Sequence, residues 1–457
     1  MIQLYVLYNL LGLILFIIIP YYYKKSKSFA NLFLLYTFFS SFFLFKFGLD
    51  LSLNKAISQY TYFSSKIFHL DLRFKVDLTS FLFLTLNFLL FLFIYLFRLY
   101  FIDDLVFHSF LTILYVINNF YFISGDPITL FLFWESMLVP TTLLLWYYSA
   151  GNSRRNALEY VIYNFGFSIF MLLGILLLVI NNFYSQSGSI SGIASFLIFI
   201  GIMVKSPVFP LHGWLENTYY NLPTFVTGIF SAILSKYAIY AYISLINTKP
   251  ILYDPLLFIV ATSIIISALI AISSDDFKKI LVYMSMSHIN VMVLGLLMLS
   301  SKTVTSLQVV LMSIVHGLVG FSLFLIVQYV QLSANDLIIK NYGNLTSQFP
   351  ILTTVLTTAL LILAGFPITA YFFSEFFILA ATFKYSILLG FSLAFGISLN
   401  LIYKAKLFYY LIYKKYNVIA SSKLTELSFS YSTTAVILLF SVLILTIYYA
   451  KLICVPN

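Results

Sequence analysis

The chain has 457 residues, of which 62% are hydrophobic and only 9% charged, with a mean hydropathy of +1.01 and a formal net charge of +10. That balance excludes most soluble classes and reads as an integral membrane protein. The basic excess does not point to nucleic acid, because Lys and Arg are spread over short loops instead of forming a stripe interleaved with exposed aromatics.

A hydrocarbon core of about 30 Å takes about 20 apolar helical residues, and on that measure about fourteen spans are expected. In chain order they run from Ile2 to Tyr22, Phe29 to Leu49, Leu78 to Phe97, Leu105 to Ile123, Ile128 to Tyr148, Tyr160 to Asn181 and Gly192 to Val208. The others run from Pro223 to Ile246, Leu256 to Ile272, Ile280 to Leu299, Thr305 to Val330, Ile351 to Phe377, Ser386 to Ile412 and Ser432 to Leu452. The fold class is therefore an all-α polytopic membrane protein. The first span lacks a charged leader and a small-residue cleavage site, so it is expected to be retained. The longest polar stretch, Asp50 to Asp77, is too short and too apolar for a separate soluble domain. One membrane domain, residues 1–457, is the expectation.

An even number of spans puts both termini on one side. Basic clusters on the opposite side, among them Lys24, Lys25, Arg154, Arg155, Lys278, Lys279, Lys414 and Lys415, make that side matrix or cytoplasmic and the terminal side the outer one. The aromatic share of 19% exceeds what interfacial belts require and fits a codon bias toward A and T. With no import signal, it suits a chain encoded inside an organelle, although an AT-rich bacterium would look similar. The single cysteine, Cys454, cannot by itself hold a disulfide, an iron-sulfur cluster or a structural zinc. Redox chemistry, if any, belongs to a partner.

Charges inside spans carry the functional signal. Glu135 in FLFWESMLVP, Lys205 in IGIMVKSPVFPLHGW and Lys236 in SAILSKYAIYAY each sit in an apolar run, where a charge costs at least a few kcal/mol. Glu375, in GFPITAYFFSEFFIL, is a fourth. Charges kept at such depth usually mark ion or proton paths, with a structural ion pair between helices as the alternative. Pro207 and Pro210 interrupt the seventh span, and Pro367 the twelfth. Paired broken helices in corresponding positions point to an inverted-repeat transporter, because freed backbone groups must be satisfied by protein or by water in a cavity.

The segments FLFWESMLVP, VKSPVFPLHGWL, NLPTFVTGIFSAILSKYAIY, SSDDFKKILVYMSMSHINVMVLG, SIVHGLVGFSLFLIV and AGFPITAYFFSEFFIL occur in this order. Together they resemble the proton-translocating antiporter-like family shared by respiratory complex I and the multisubunit cation/proton antiporters, over roughly Leu105 to Ile412. Within it the chain is most similar to the chain 4 branch of NADH:ubiquinone oxidoreductase, because Glu375 stands where the chain 2 and chain 5 branches usually carry lysine. The resemblance implies N-terminal helices over residues 1–104, two inverted five-helix repeats at 105–246 and 253–412, and a C-terminal helix at 432–452. It implies that Glu135 pairs with Lys205, that Lys236 is the central relay, that His288 and His316 lie on a hydrated axis, and that Glu375 is its terminal charge. Lys404 and, more weakly, His108 are further path candidates, and His212 is expected to stabilise the turn after the seventh-span break.

By the same resemblance the chain is a subunit of a proton-translocating NADH:ubiquinone reductase in the mitochondrial inner membrane. It would hold no catalytic residue, metal or cofactor, with NADH, FMN, iron-sulfur clusters and ubiquinone in other subunits. Its expected neighbours are the other membrane-arm subunits, especially chains 2 and 5, and the lipid bilayer. A sodium/proton antiporter subunit and a non-pumping spacer of the membrane arm are the alternatives. Two segments depart from the family pattern. The loop from Glu216 to Pro223 reads Glu216, Asn217, Tyr219 and Asn221 where the family commonly has a proline, an aspartate, a second histidine and a glutamate, and Ile368, Thr369, Ala370 and Tyr371 replace a glycine-rich stretch.

Overall fold

The computed structural model describes residues 1–22, 26–52, 58–65, 70–96, 102, 104–184, 188–301, 303–347, 349–414 and 432–442. Cys454 and the end of the fourteenth expected span lie outside the described residues. Two compact units form, residues 1–202 with 240–250, and residues 203–239 with 251–457. Among the described residues ten helices are long and apolar enough to cross a membrane, and four further apolar helices are shorter.

The first unit holds α1 (Ile2–Tyr22), α2 (Ser26–Ser52), strands β1 (Ser58–Ser65) and β2 (Leu70–Val76), α3 (Leu78–Leu96), α4 (Leu105–Phe122), α5 (Pro127–Ser136), α6 (Leu138–Tyr148) and α7 (Ser153–Tyr184). Helix α7 exposes Leu158, Ile162, Phe165, Ile169, Leu173, Leu176 and Ile180, an apolar stripe at helical spacing suited to an apolar membrane environment. The opposite solution holds inside the unit, where Asn9, Asn87, Asn118 and Asn119 from three helices satisfy one another. Asn119 donates to Asn9 at 3.0 Å, Asn87 to Asn119 at 2.8 Å and Asn118 to Asn87 at 3.0 Å. Buried amides survive in a membrane only when paired in this way.

The stretch between the second and third spans is not a plain loop. Strand β2, LDLRFKV, pairs antiparallel with β1 along its whole length, and its outer edge is held by Lys75 N–H on the Ile123 carbonyl, 2.8 Å, and Gly125 N–H on the Arg73 carbonyl, 2.7 Å. A Cβ at Gly125 would meet the Arg73 backbone at 3.1 Å, so the close approach needs glycine. The fifth expected span is divided at Met137, with Asp126 capping its start through the amides of Ile128 and Thr129.

Helix α8 (Gly188–Lys205) leads into the second unit, which holds α9 (Gly213–Asn221), α10 (Thr224–Ile229), a π-helical turn (Phe230–Leu234) and the start of α11 (Lys236–Leu245), whose residues from Tyr240 belong to the first unit. It continues with α12 (Tyr253–Ser273), α13 (Phe277–Leu297), α14 (Ser306–Ala334), α15 (Pro350–Leu363), α16 (Ala370–Tyr385), α17 (Ile387–Phe408) and α18 (Ser432–Val442). Side-chain caps set several starts. Asp276 accepts from Lys279 N–H at the head of α13, and Thr305 with Gln308 forms a reciprocal capping box at the head of α14. Helices α13 and α14 are enclosed along their central length, and they carry the buried histidines His288 and His316.

Candidate functional site

The site begins where a helix is wound too loosely. The π-turn Phe230–Leu234 inserts an extra residue per turn before Lys236, and such bulges recur where a helix must turn a side chain or free a carbonyl. Lys236 is fully enclosed, and its Nζ donates to the Ser231 carbonyl at 2.9 Å and to Ser235 Oγ at 3.1 Å. Its third contact is Nδ1 of His316 on α14, at 2.9 Å. When Lys236 is an ammonium it has no lone pair, so His316 must accept at Nδ1 and carry its own proton at Nε2. A single proton can then sit on either partner.

His316 packs edge-on against His288 of α13, ring centroids 5.5 Å apart. His288 in turn has the Tyr403 hydroxyl 3.4 Å from Nε2 and the Tyr371 ring at 5.6 Å. Lys404, beside Tyr403 on α17, donates from Nζ to the Leu363 carbonyl. That carbonyl is one of the orphan acceptors at the C-terminus of α15, where the helix dipole also favours a cation. The break that frees it follows from local sequence: Gly365 takes φ of +79°, Pro367 bars continued helix, and Thr369 caps α16 through the Phe372 amide at 3.3 Å. Glu375, half-buried one turn into α16, interacts electrostatically with Lys404, and a Cβ on Gly365 would lie 3.1 Å from its Oε2.

Lys205 closes α8 at the second proline-broken site, again a cation at a helix C-terminus. It is buried, with Nζ 5.7 Å from the centre of the Tyr237 ring. Beyond it the chain leaves the helix; Trp214 Nε1 donates back to the Val204 carbonyl at 3.2 Å, and Phe209 N–H donates to Ser263 Oγ at 2.9 Å. Ser263 also accepts from Asn290 at 2.8 Å. His212 packs against Phe209 at this turn, ring centroids 5.5 Å apart and planes tilted by 42°.

The second unit thus brings Lys236, His316, His288, Glu375 and Lys404 into one continuous polar axis, while Lys205 lies against the residue after Lys236. Glu135 and His108 belong to the first unit. Glu135 is half-buried at the end of α5 and lines a groove with Leu138, Thr142, Val161 and Phe165; His108 faces Tyr95, hydroxyl to Nδ1 3.4 Å. Glu216 lies off the axis, held by Lys279 at 2.6 Å and by Tyr283 at 2.5 Å.

Sequence reasoning missed the neutral members of the axis. Tyr371, Tyr403 and Asn400 are uncharged, and 36 tyrosines give no contrast by composition. The one available signal is spacing, since Asn400, Tyr403 and Lys404 fall on one face of α17. Ser287 donates to Asn400 at 2.8 Å, and Ser231 and Ser285 share a hydrogen bond at 2.6 Å. Among the described residues His288 Nδ1, Tyr371 Oη and Asn400 Nδ2 are buried with no protein hydrogen-bond partner. Such atoms are ordinarily satisfied by water. Among the described residues no three His, Cys, Asp or Glu side chains gather as a metal site would require. What the axis can do chemically is pass protons between ammonium, imidazole, phenol and carboxyl groups.

Residues 124–400 match the family described as NADH:quinone oxidoreductase/Mrp antiporter, TM. The chain is 27% identical over 303 residues to NADH-quinone oxidoreductase subunit M of Rickettsia prowazekii, covering 63% of this chain and 61% of the relative. It is 30% identical over 300 residues to NADH-ubiquinone oxidoreductase chain 4 of Candida albicans, covering 62% and 64%. The matched region therefore spans about three fifths of these relatives. In fold the chain is similar to a chain of respiratory complex I from Thermus thermophilus, with a TM-score of 0.80 at 20% identity over 98% of this chain and 96% of that one.

Proposed function

This integral membrane protein belongs to the NADH:quinone oxidoreductase/Mrp antiporter family, and we propose on that premise that it is a proton-translocating membrane-arm subunit of an NADH:quinone oxidoreductase. The observation that carries the reading is the buried run Lys236, His316, His288 and Tyr403, each within contact of the next, ending beside Lys404 and Glu375. An unpaired charge in a bilayer costs several kcal/mol, and a chain does not retain a line of titratable groups without use for it.

In this reading Lys236 is the central relay and His316 and His288 carry its proton along the axis. Glu375 with Lys404 forms the terminal station. Glu135 and Lys205 are further stations of the path, since a carboxylate favours the charged form of a lysine and a desolvated lysine releases its proton more readily. Each proton driven against the membrane potential costs about 2.3 kcal/mol per 100 mV. That energy comes from NADH oxidation and quinone reduction in other subunits, which hold the FMN, iron-sulfur and quinone sites. The mitochondrial inner membrane is the proposed location, with both termini on the intermembrane-space side and antiporter-like chains 2 and 5 as neighbours.

Purifying the complex through a tag on this chain and identifying its partners tests the reading. NADH-oxidising and quinone-reducing subunits, with NADH-driven proton uptake into vesicles, are the expected result. Recovery of only antiporter subunits, with sodium/proton exchange and no NADH oxidation, would replace it by the antiporter alternative.

A further inference from the structure

We propose that the Tyr403 hydroxyl relays protons between His288 and Glu375, a role that rests on the reading of the axis as a proton path. Three observations converge on it. Tyr403 is fully enclosed, and its hydroxyl is 3.4 Å from His288 Nε2, toward the long end of a hydrogen bond, as relay contacts often are at rest. The Glu375 carboxylate interacts electrostatically with this hydroxyl and with that of Tyr371, so it is the contact with His288 that singles out Tyr403. The competing routes are poorer. Lys404 also interacts electrostatically with His288, but as an ammonium it offers no lone pair to a proton leaving the imidazolium, and two cations repel. Tyr371 presents its ring to His288, 5.6 Å at 58°, and its hydroxyl has no hydrogen-bond partner among the described residues.

A phenol is suited to the position because it donates and accepts through one oxygen and stays neutral between transfers. In one passage the Nε2–H bond of protonated His288 breaks as a new O–H bond forms on Tyr403. The phenol's original O–H bond breaks, and its proton joins the Glu375 carboxylate. One N–H and one O–H bond break and two O–H bonds form; His288 and Glu375 end neutral and Tyr403 is unchanged. The reverse passage uses the same bonds.

The test compares Tyr403→Phe, Tyr403→His and Lys236→Ala in the intact complex, reconstituted into vesicles, reading protons taken up per NADH oxidised at matched assembly. Phenylalanine keeps the ring and loses only the hydroxyl, whereas imidazole can again accept and donate a proton. The relay predicts that Tyr403→Phe lowers uptake about threefold or more while Tyr403→His stays within about twofold of the native protein. Native uptake by Tyr403→Phe beside a defective Lys236→Ala overturns the relay and leaves the wider reading standing. Equal losses in both Tyr403 variants, or failure of Tyr403→Phe to assemble, overturn it in favour of a packing role. Native uptake by Lys236→Ala as well overturns the wider reading and the relay with it.

Discussion

Lys236 Nζ and His316 Nδ1 stand 2.9 Å apart, each the other's nearest titratable partner across two enclosed helices. The pair holds one proton in two places, which is what a reversible relay needs. His316→Gln keeps a hydrogen-bond acceptor near Lys236 but cannot bind the proton. The complex is expected to assemble at normal levels while proton uptake per NADH falls severalfold, measured with a pH-sensitive dye in sealed vesicles. Full uptake would make His316 a structural acceptor.

Glu375 and Glu216 carry the same charge in different settings. Glu375→Gln is expected to impair proton uptake more than Glu216→Gln, because Glu216 is exposed enough for solvent to replace its contacts with Lys279 and Tyr283. Glu375 interacts with Lys404 inside the bilayer-spanning segment, where few groups substitute. Equal losses, or a larger loss at Glu216, would show that the conduction axis runs elsewhere.

Gly365 links backbone conformation to this chemistry. Its φ of +79° disfavours any L side chain, and an added Cβ would press on Glu375 Oε2 at 3.1 Å. Gly365→Ala is expected to cost about 1–2 kcal/mol in backbone strain and to displace the Glu375 carboxylate. Proton uptake should fall although no titratable group has changed. An alanine variant with native uptake would show that the break tolerates rearrangement.

Much of the architecture was legible because a bilayer simplifies the problem: apolar runs of span length have few alternatives, and charged residues within them stand out. Glu135, Lys205, Lys236 and Glu375 were visible for that reason. Tyr403 and Asn400 were not, since a phenol or an amide inside a span is common and gains meaning only from what it faces. The hairpin between α2 and α3 was missed because its strands are short and its stabilising partners, Ile123 and Gly125, lie far along the chain. The division at Met137 was missed although Pro140 announces it, since proline has no N–H to offer the Ser136 carbonyl.

Away from the axis, Asp275 ties the α12–α13 turn to two lysines, Lys340 at 2.5 Å and Lys406 at 2.8 Å. Hydrogen bonds from Lys340 and Lys406 hold its carboxyl below the ordinary value of 3.8. A carboxyl lowered in the folded state adds stability that is full above its unfolded value and is lost as pH falls through the folded one. Asp275→Asn should therefore lower the melting temperature of the complex in detergent at neutral pH by about 1–2 °C, since the pair is partly exposed. The difference should shrink as the pH is taken below about 4. A gap that stays constant with pH would assign the effect to packing.

Lys236→Ala bears most directly on what this chain does. Alanine suits the helix after the π-turn, so assembly should survive while the central charge and its link to His316 are removed. In vesicles containing matched amounts of assembled complex, proton uptake per NADH oxidised is predicted to fall severely, with the redox sites in other subunits still reducible by NADH. Native uptake in a fully assembled Lys236→Ala complex would contradict a proton path through this residue.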